Sequence, residues 1–269
     1  MATNSVTEST SGSQAPSKVL TRMRQAVTRG GVAYAATYAT RLALERLIDR
    51  LDLRLISTEQ RRRIVEPWAI SSRRYTVADQ KNIYNEWDWS HGGEEWTLSP
   101  EWKQRIIDEL MLPHMPQGGQ LLEIGPGAGR WSEFLQTRAS HLYLLDVAEQ
   151  SLAACRRRFA DKSNIEYVLG NGTRIPLPDQ ALDGVWSFDV FVHINPVNTR
   201  AYVHEIARVL KPRAFAVIHH PGPPEARVIR PGSRSDVTDA MIRDFAGEAG
   251  LTIRQFSDYR DVVSVLQHS

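Results

Sequence analysis

The residues with the clearest chemical potential stand near the middle of the chain. Gly125-Pro126-Gly127-Ala128-Gly129 follows a short apolar run, Gln120 to Ile124. Glycines there permit a tight turn and let a ligand approach the main chain closely. The spacing is G-x-G-x-G, whereas a dinucleotide fingerprint needs a further glycine where this chain has Arg130. Glu123 precedes the loop, and a carboxylate among Leu121, Leu122 and Ile124 is costly to bury unpaired. It is therefore expected to face the crevice, receiving a cationic ligand group or hydrogen-bonding loop amides, and it would repel a pyrophosphate. Asp146 ends the next apolar run. A carboxylate there accepts both hydroxyl hydrogens of a ribose, or caps the helix expected from Ala148.

A second group could move a proton. His193 and Asp189 follow the run Gly184 to Phe188, and His219-His220 end the run that starts at Phe215. Histidine is the natural base near neutral pH for a hydroxyl nucleophile. Strand ends in open α/β sheets share one crevice, which makes His193, Asp189 and His220 the candidate catalytic groups. The plainer alternative is that these are packed or loop residues. His219, His220 and a carboxylate match no strong ligand spacing, so no metal is expected.

The elements that must position these groups alternate. Strands are expected over Gln120 to Ile124, Leu142 to Leu145, Ile165 to Leu169, Gly184 to Phe188 and Phe215 to His219, with helices over Trp131 to Thr137, Ala148 to Phe159 and Thr199 to Leu210. Such alternation indicates a doubly wound α/β fold with a mostly parallel sheet. A helix over Asp236 to Glu248 and two closely spaced strands, Leu251 to Tyr259 and Val262 to Gln267, complete the pattern. Upstream, Ser99-Pro100 reads as an N-cap with proline at the first helical position, opening a helix to about Leu112.

Before that helix the chain divides into a Ser/Thr-rich tail, residues 1–17, and a helical, aromatic appendage, residues 18–98, leaving 99–269 for the sheet domain. Val19 to Leu55 reads as an amphipathic helix. Trp87, Trp89 and Trp96 with Gly92-Gly93 suit either a lid that stacks on a ligand or an anchor to the core. The net charge of +2 hides a basic front end before a mildly acidic body. That asymmetry fits peripheral contact of the basic helix with an anionic membrane surface, and equally ordinary solvated helix faces. No basic stripe with interleaved aromatics crosses the body, which argues against a nucleic-acid substrate. The one cysteine, Cys155, excludes an intrachain disulfide and any cysteine-based metal site. With no spanning segment or secretory pattern apparent, the reading is cytoplasmic.

Five segments together resemble the successive motifs of the class I S-adenosylmethionine-dependent methyltransferases. They are Leu121 to Gly129, Asp146, Gly170-Asn171-Gly172 with Ile175-Pro176-Leu177-Pro178, Leu182 to Ser187, and Glu205 to Pro212. The resemblance implies a seven-stranded sheet with its last strand antiparallel and S-adenosylmethionine as cofactor. It implies that Glu123, Gly125, Gly127 and Gly129 line the methionine part, that Asp146 holds the ribose, that Asn171 and Gly172 flank adenine, and that Ser187 stands near the sulfonium. Asn171 stands where many members carry Asp, and Arg213-Ala214 where they carry Gly-Gly. The acceptor expected is a small-molecule hydroxyl, glycoside or lipid-linked, methylated on oxygen. The alternatives are a catalytically silent cofactor-binding scaffold that docks through its basic helix, and a nicotinamide-dependent oxidoreductase.

Overall fold

The computed structural model describes residues 76–222, 235–259 and 261–268. These all belong to one unit, Ser71–Ser269. The tail, the helix expected over Val19 to Leu55 and the membrane contact assigned to it lie outside the described residues. The aromatic segment before Ser99 falls within the sheet unit, so the boundary of that unit lies upstream of the one expected at residue 99.

Helix α1 (Val77–Asn85) opens on a capping box in which Thr76 and Asp79 satisfy each other's backbone amides. Ser99 caps α2 (Pro100–Ile106), its hydroxyl accepting the Trp102 amide, with proline at the start as expected. The helix then widens into a π turn, Ile107–Met111, before α3 (Leu112–His114). The alternating body follows as β1 (Gln120–Ile124), α4 (Ser132–Arg138), β2 (His141–Asp146), α5 (Glu149–Arg158), β3 (Ile165–Leu169), β4 (Leu182–Ser187), α6 (Pro196–Val209) and β5 (Leu210–His220). It ends with α7 (Asp239–Glu248), β6 (Leu251–Tyr259) and β7 (Asp261–His268).

The seven strands lie in the order β3-β2-β1-β4-β5-β7-β6. Neighbours from β3 to β5 are parallel, and β7 runs antiparallel to both β5 and β6. Strand side chains alternate between the two faces. Leu122, Ile124 and Val185 pack with Tyr202, Val203 and Ile206 of α6 and Ile242 of α7. Leu121, Trp186 and Val217 pack on the other face with Ile106, Leu135 of α4 and Leu152 of α5. Helices thus cover both faces, which is why the parallel strands read as nearly continuous apolar runs.

Two boundaries moved for identifiable reasons. Asn195 caps α6, its side chain accepting the Asn198 amide with Pro196 at the first position, so the helix starts before Thr199. Strand β5 starts at Leu210 rather than Phe215 because Leu210 pairs with Leu182 across a register shift. Within that shift Arg213 takes a left-handed backbone, φ 65°. The turn therefore keeps the conformation that glycine favours and places an arginine in it, at a cost of about 1 kcal/mol.

Candidate functional site

A cavity of about 360 Å³ opens above the C-terminal ends of β1, β2 and β4. Its floor is the loop after β1, where Gly125 and Gly127 both have positive φ. A Cβ at Gly127 would stand 2.9 Å from the Trp89 ring, and one at Gly125 would strike Val190. The glycines are therefore required by what approaches the loop as well as by its backbone. Beneath the loop, the thiol of buried Cys155 donates to the Gly127 carbonyl at 3.2 Å. At the end of β2, Asp146 lines the cavity while its Oδ1 accepts the Ala148 amide at 2.8 Å. Burial raises its pKa to about 6 against the opposing hydrogen bonds of the Ala148, Gly127 and Val147 amides.

The opposite wall comes from α1 and the aromatic segment. Val77, Gln80, Tyr84, Trp89 and Trp96 all face the cavity. The indole N–H of Trp89 donates to the Tyr84 carbonyl and that of Trp87 to Glu95, so the hydrogen-bonding edges of both rings are spent on this segment. Trp89 stacks on Tyr84 and meets Trp96 edge-on. Arg158 of α5 donates to the carbonyls of Gly92 and Ala128, tying the segment to the glycine loop. Trp89 and Trp96 wall the cavity, whereas Trp87 does not line it and is exposed.

Arg130, immediately after the loop, is buried and lines the cavity. Its Nη2 donates to Asp189 Oδ2 at 2.7 Å, beyond the end of β4. Asp189 has a left-handed backbone, φ 63°. Its Oδ1 and its amide nitrogen each lie 3.2 Å from Nδ1 of His219, a fully buried ring stacked on Phe188. Burial by itself would raise the Asp189 pKa. The hydrogen bond and charge of His219 and the Arg130 guanidinium outweigh it and hold the carboxyl well below the usual carboxylate range.

The cavity gathers only some of the residues singled out from the sequence. Gly125, Gly127, Asp146, Gly172, Asp189 and His193 line it. His193 ends a 3-10 turn, Phe191–His193, with its ring 6.4 Å from that of Tyr84. Asp189 is corrected from base candidate to ion-pair partner, because a carboxylate bound to Arg130 and His219 is poorly basic. His220 is corrected as well. It is fully buried, its Nδ1 donates to the Pro221 carbonyl, and its Nε2 accepts the Ser264 hydroxyl. Burial pushes its pKa down to about 3.

Glu123 does not face the crevice. The alternation of β1 puts it on the same side as Leu121, where it accepts the Ser132 hydroxyl of α4. Burial pushes its pKa up to about 7, against that hydrogen bond and Arg130. Gly129 is turned toward Phe159. Ser187 is fully buried and donates to the Ile124 carbonyl. The Asn171 side chain accepts the Thr173 and Arg174 amides in a turn of its own. These four do not line the cavity. Sequence reading missed Tyr84 and Gln80 as wall residues and treated Arg130 only as a missing glycine. Its charge beside the loop was the available signal. Among the described residues, no group of three or more His, Cys, Asp or Glu is arranged to hold a metal.

Residues 122–218 match the family model described as a methyltransferase domain. Over that segment the chain is similar to methyltransferase domains. Over 116 residues it is 32% identical to a demethylmenaquinone methyltransferase of Clavibacter sepedonicus, covering 43% of this chain and 46% of that one. Over 119 residues it is 29% identical to a malonyl-[acyl-carrier protein] O-methyltransferase of Marinomonas, covering 42% and 43%. The chain thus spans less than half the length of these relatives. Among solved structures, an S-adenosylmethionine-dependent methyltransferase from Aquifex aeolicus superposes with a TM-score of 0.51 at 20% identity, over 68% of this chain and 98% of that one. That likeness concerns the fold.

The cavity fits S-adenosylmethionine, the cofactor that this similarity implies. Asp146 is an acceptor-only carboxylate with lone pairs beyond the one given to Ala148, as a ribose diol needs. The loop around Gly125 and Gly127 presents main chain to a ligand, as close approach of the methionine part of the cofactor requires. Ile124, Leu145 and Val77 supply apolar wall for a base.

Proposed function

We propose that this chain transfers the methyl group of S-adenosylmethionine to a hydroxyl oxygen of a small molecule, with His193 as the base. The observation that carries it is the position of His193. It lines the cavity beside Tyr84, whereas Asp189 is paired with Arg130 and His220 is buried against Ser264. The cofactor supplies an electrophilic methyl on a sulfonium. The chain's own groups do the rest. Asp146 accepts the ribose hydroxyls, and Gly125 and Gly127 let the ligand lie against the backbone. The ring faces of Trp89 and Trp96 exclude water and offer a flat apolar surface to a sugar, an aromatic ring or a lipid. With the cofactor bound, its methyl would pass from sulfur to the hydroxyl oxygen, and the His193 imidazole would take the hydroxyl proton. Alignment within about 3 Å of the methyl carbon is what such a wall contributes.

The relatives are named for acceptors as different as demethylmenaquinone and a malonyl-[acyl-carrier protein], and others for ribosomal RNA, so the hydroxyl acceptor rests on the site alone. A screen of hydroxylated acceptors for S-adenosylhomocysteine formation tests the reading. His193→Ala should keep S-adenosylhomocysteine binding and lower turnover about a hundredfold or more. A variant of undiminished activity rules out the base assignment.

A further inference from the structure

We propose that the methyl acceptor carries an apolar tail, which leaves the cavity over the exposed side chains of Trp87, Ile83 and Val197 while its hydroxyl reaches His193. The proposal rests on the reading above and names the class of acceptor for it.

The cavity of about 360 Å³ lies at the small end of the range, roughly 300 to 1,000 Å³, that holds one drug-sized ligand. S-adenosylmethionine is itself a ligand of that size. With the cofactor in place, the bulk of an acceptor is left to the mouth of the cavity, so the surface there selects it.

That surface is apolar. Trp87 is 40% exposed, and its ring centroid stands 5.2 Å from that of Trp96, 6.3 Å from that of Tyr84 and 6.5 Å from that of Trp89, three rings that line the cavity. Its indole N–H is given to Glu95, so what it turns to water is ring. Tyr84 in turn lies 6.4 Å from the His193 ring. Aromatic surface therefore runs from beside the proposed base to the outside.

Two aliphatic side chains extend it. Ile83, 41% exposed, precedes Tyr84 on α1. Residues two apart on a helix point to nearly opposite sides, so Ile83 is turned away from Asn85, whose side chain accepts the Gln150 amide of α5. Val197, 78% exposed, stands in the first turn of α6 between Ile194 and Asn198, both of which line the cavity. Exposed apolar side chains scattered singly need no explanation, whereas a group of them at the rim of a cavity marks a binding surface.

Calorimetric titration of the full chain, saturated with S-adenosylhomocysteine, tests this with the n-alkyl esters of para-hydroxybenzoate from methyl to octyl. The hydroxylated head is constant and only the tail grows. Affinity should rise about threefold per methylene before levelling off. In Trp87→Gln, and in Ile83→Gln combined with Val197→Gln, the rise should fall below about 1.5-fold per methylene. These side chains already face water, so their replacement does not endanger the fold. Leu112→Gln should keep the parent's rise. It alters an exposed leucine ahead of β1, at the end of the sheet opposite the cavity.

Equal affinity for all the esters, or no binding by any of them, overturns the proposal. So does a rise that survives in the mouth variants, or one that Leu112→Gln reduces as much as they do. Binding to phosphatidylcholine vesicles that is lost in Trp87→Gln, with no dependence on ester length, overturns it in favour of a membrane surface. All of these measure binding, so they stand apart from the turnover of His193→Ala. Failure of the unaltered protein to bind S-adenosylhomocysteine would sink the cofactor reading and this proposal with it.

Discussion

Arg130 and Asp189, 59 residues apart in the chain, meet at 2.7 Å between the loop after β1 and the turn after β4. The contact joins the two segments that carry most of the site, and both side chains are largely buried. Removing one member of such a pair leaves the other charge without compensation, which costs more than the pair contributes when intact.

Asp189→Asn isolates this effect. Asparagine tolerates the left-handed backbone as aspartate does, so the change removes the charge and not the conformation. Stability should fall by about 3 kcal/mol in urea unfolding. A midpoint unchanged from that of the parent protein would show that the pair does not help hold the two loops together.

Asp146→Asn keeps an oxygen for the Ala148 amide and turns an acceptor of the ribose diol into a donor. S-adenosylhomocysteine and methylthioadenosine, which lacks the amino-acid part, both carry that ribose and should weaken alike, by about tenfold or more, in calorimetric titration. Weakening confined to S-adenosylhomocysteine would move Asp146 to the amino-acid end.

Glu123 makes stability depend on pH. Its folded pKa of about 7 lies above the ordinary value of 4.5, so the folded state holds the proton more tightly than the unfolded chain. The stability contributed by protonation is complete below the ordinary value and is lost as pH rises through about 7, a change of about 3 kcal/mol. Glu123→Gln still accepts the Ser132 hydroxyl and cannot ionise. Its melting temperature should therefore exceed the parent's at about pH 8 and match it near pH 4. Equal curves at both pH values would mean that Glu123 titrates normally.

The fold was legible because its signals are local. β1, β3 and β6 occupy the spans read from their apolar runs, and Ser99-Pro100 opens α2 as capping chemistry requires. The start of α6 was also written locally, in Asn195-Pro196, and was placed too late because apolar periodicity begins further on. The early start of β5 was not, since only pairing with Leu182 makes Leu210 a strand residue.

The site divides in the same way. The glycine loop and Asp146 could be read in sequence because a loop that admits a ligand and a carboxylate at a strand end follow from residue type and position. Which histidine faces the cavity could not, because His193 and His220 sit in similarly apolar stretches and differ in what lies beside them. Ser264, 44 residues beyond His220, holds that ring in the core.

The sequence alone determined the order of strands and helices, the side-chain-free turn and the carboxylate after β2, all consequences of backbone preference and hydrophobic period. Tertiary structure decided that Glu123 points into the protein, that Asp189 pairs with Arg130 instead of acting as a base, and that Trp89 lies against Gly127. The physical reason is that burial and charge pairing depend on distances between segments far apart in the chain, and only packing sets those distances.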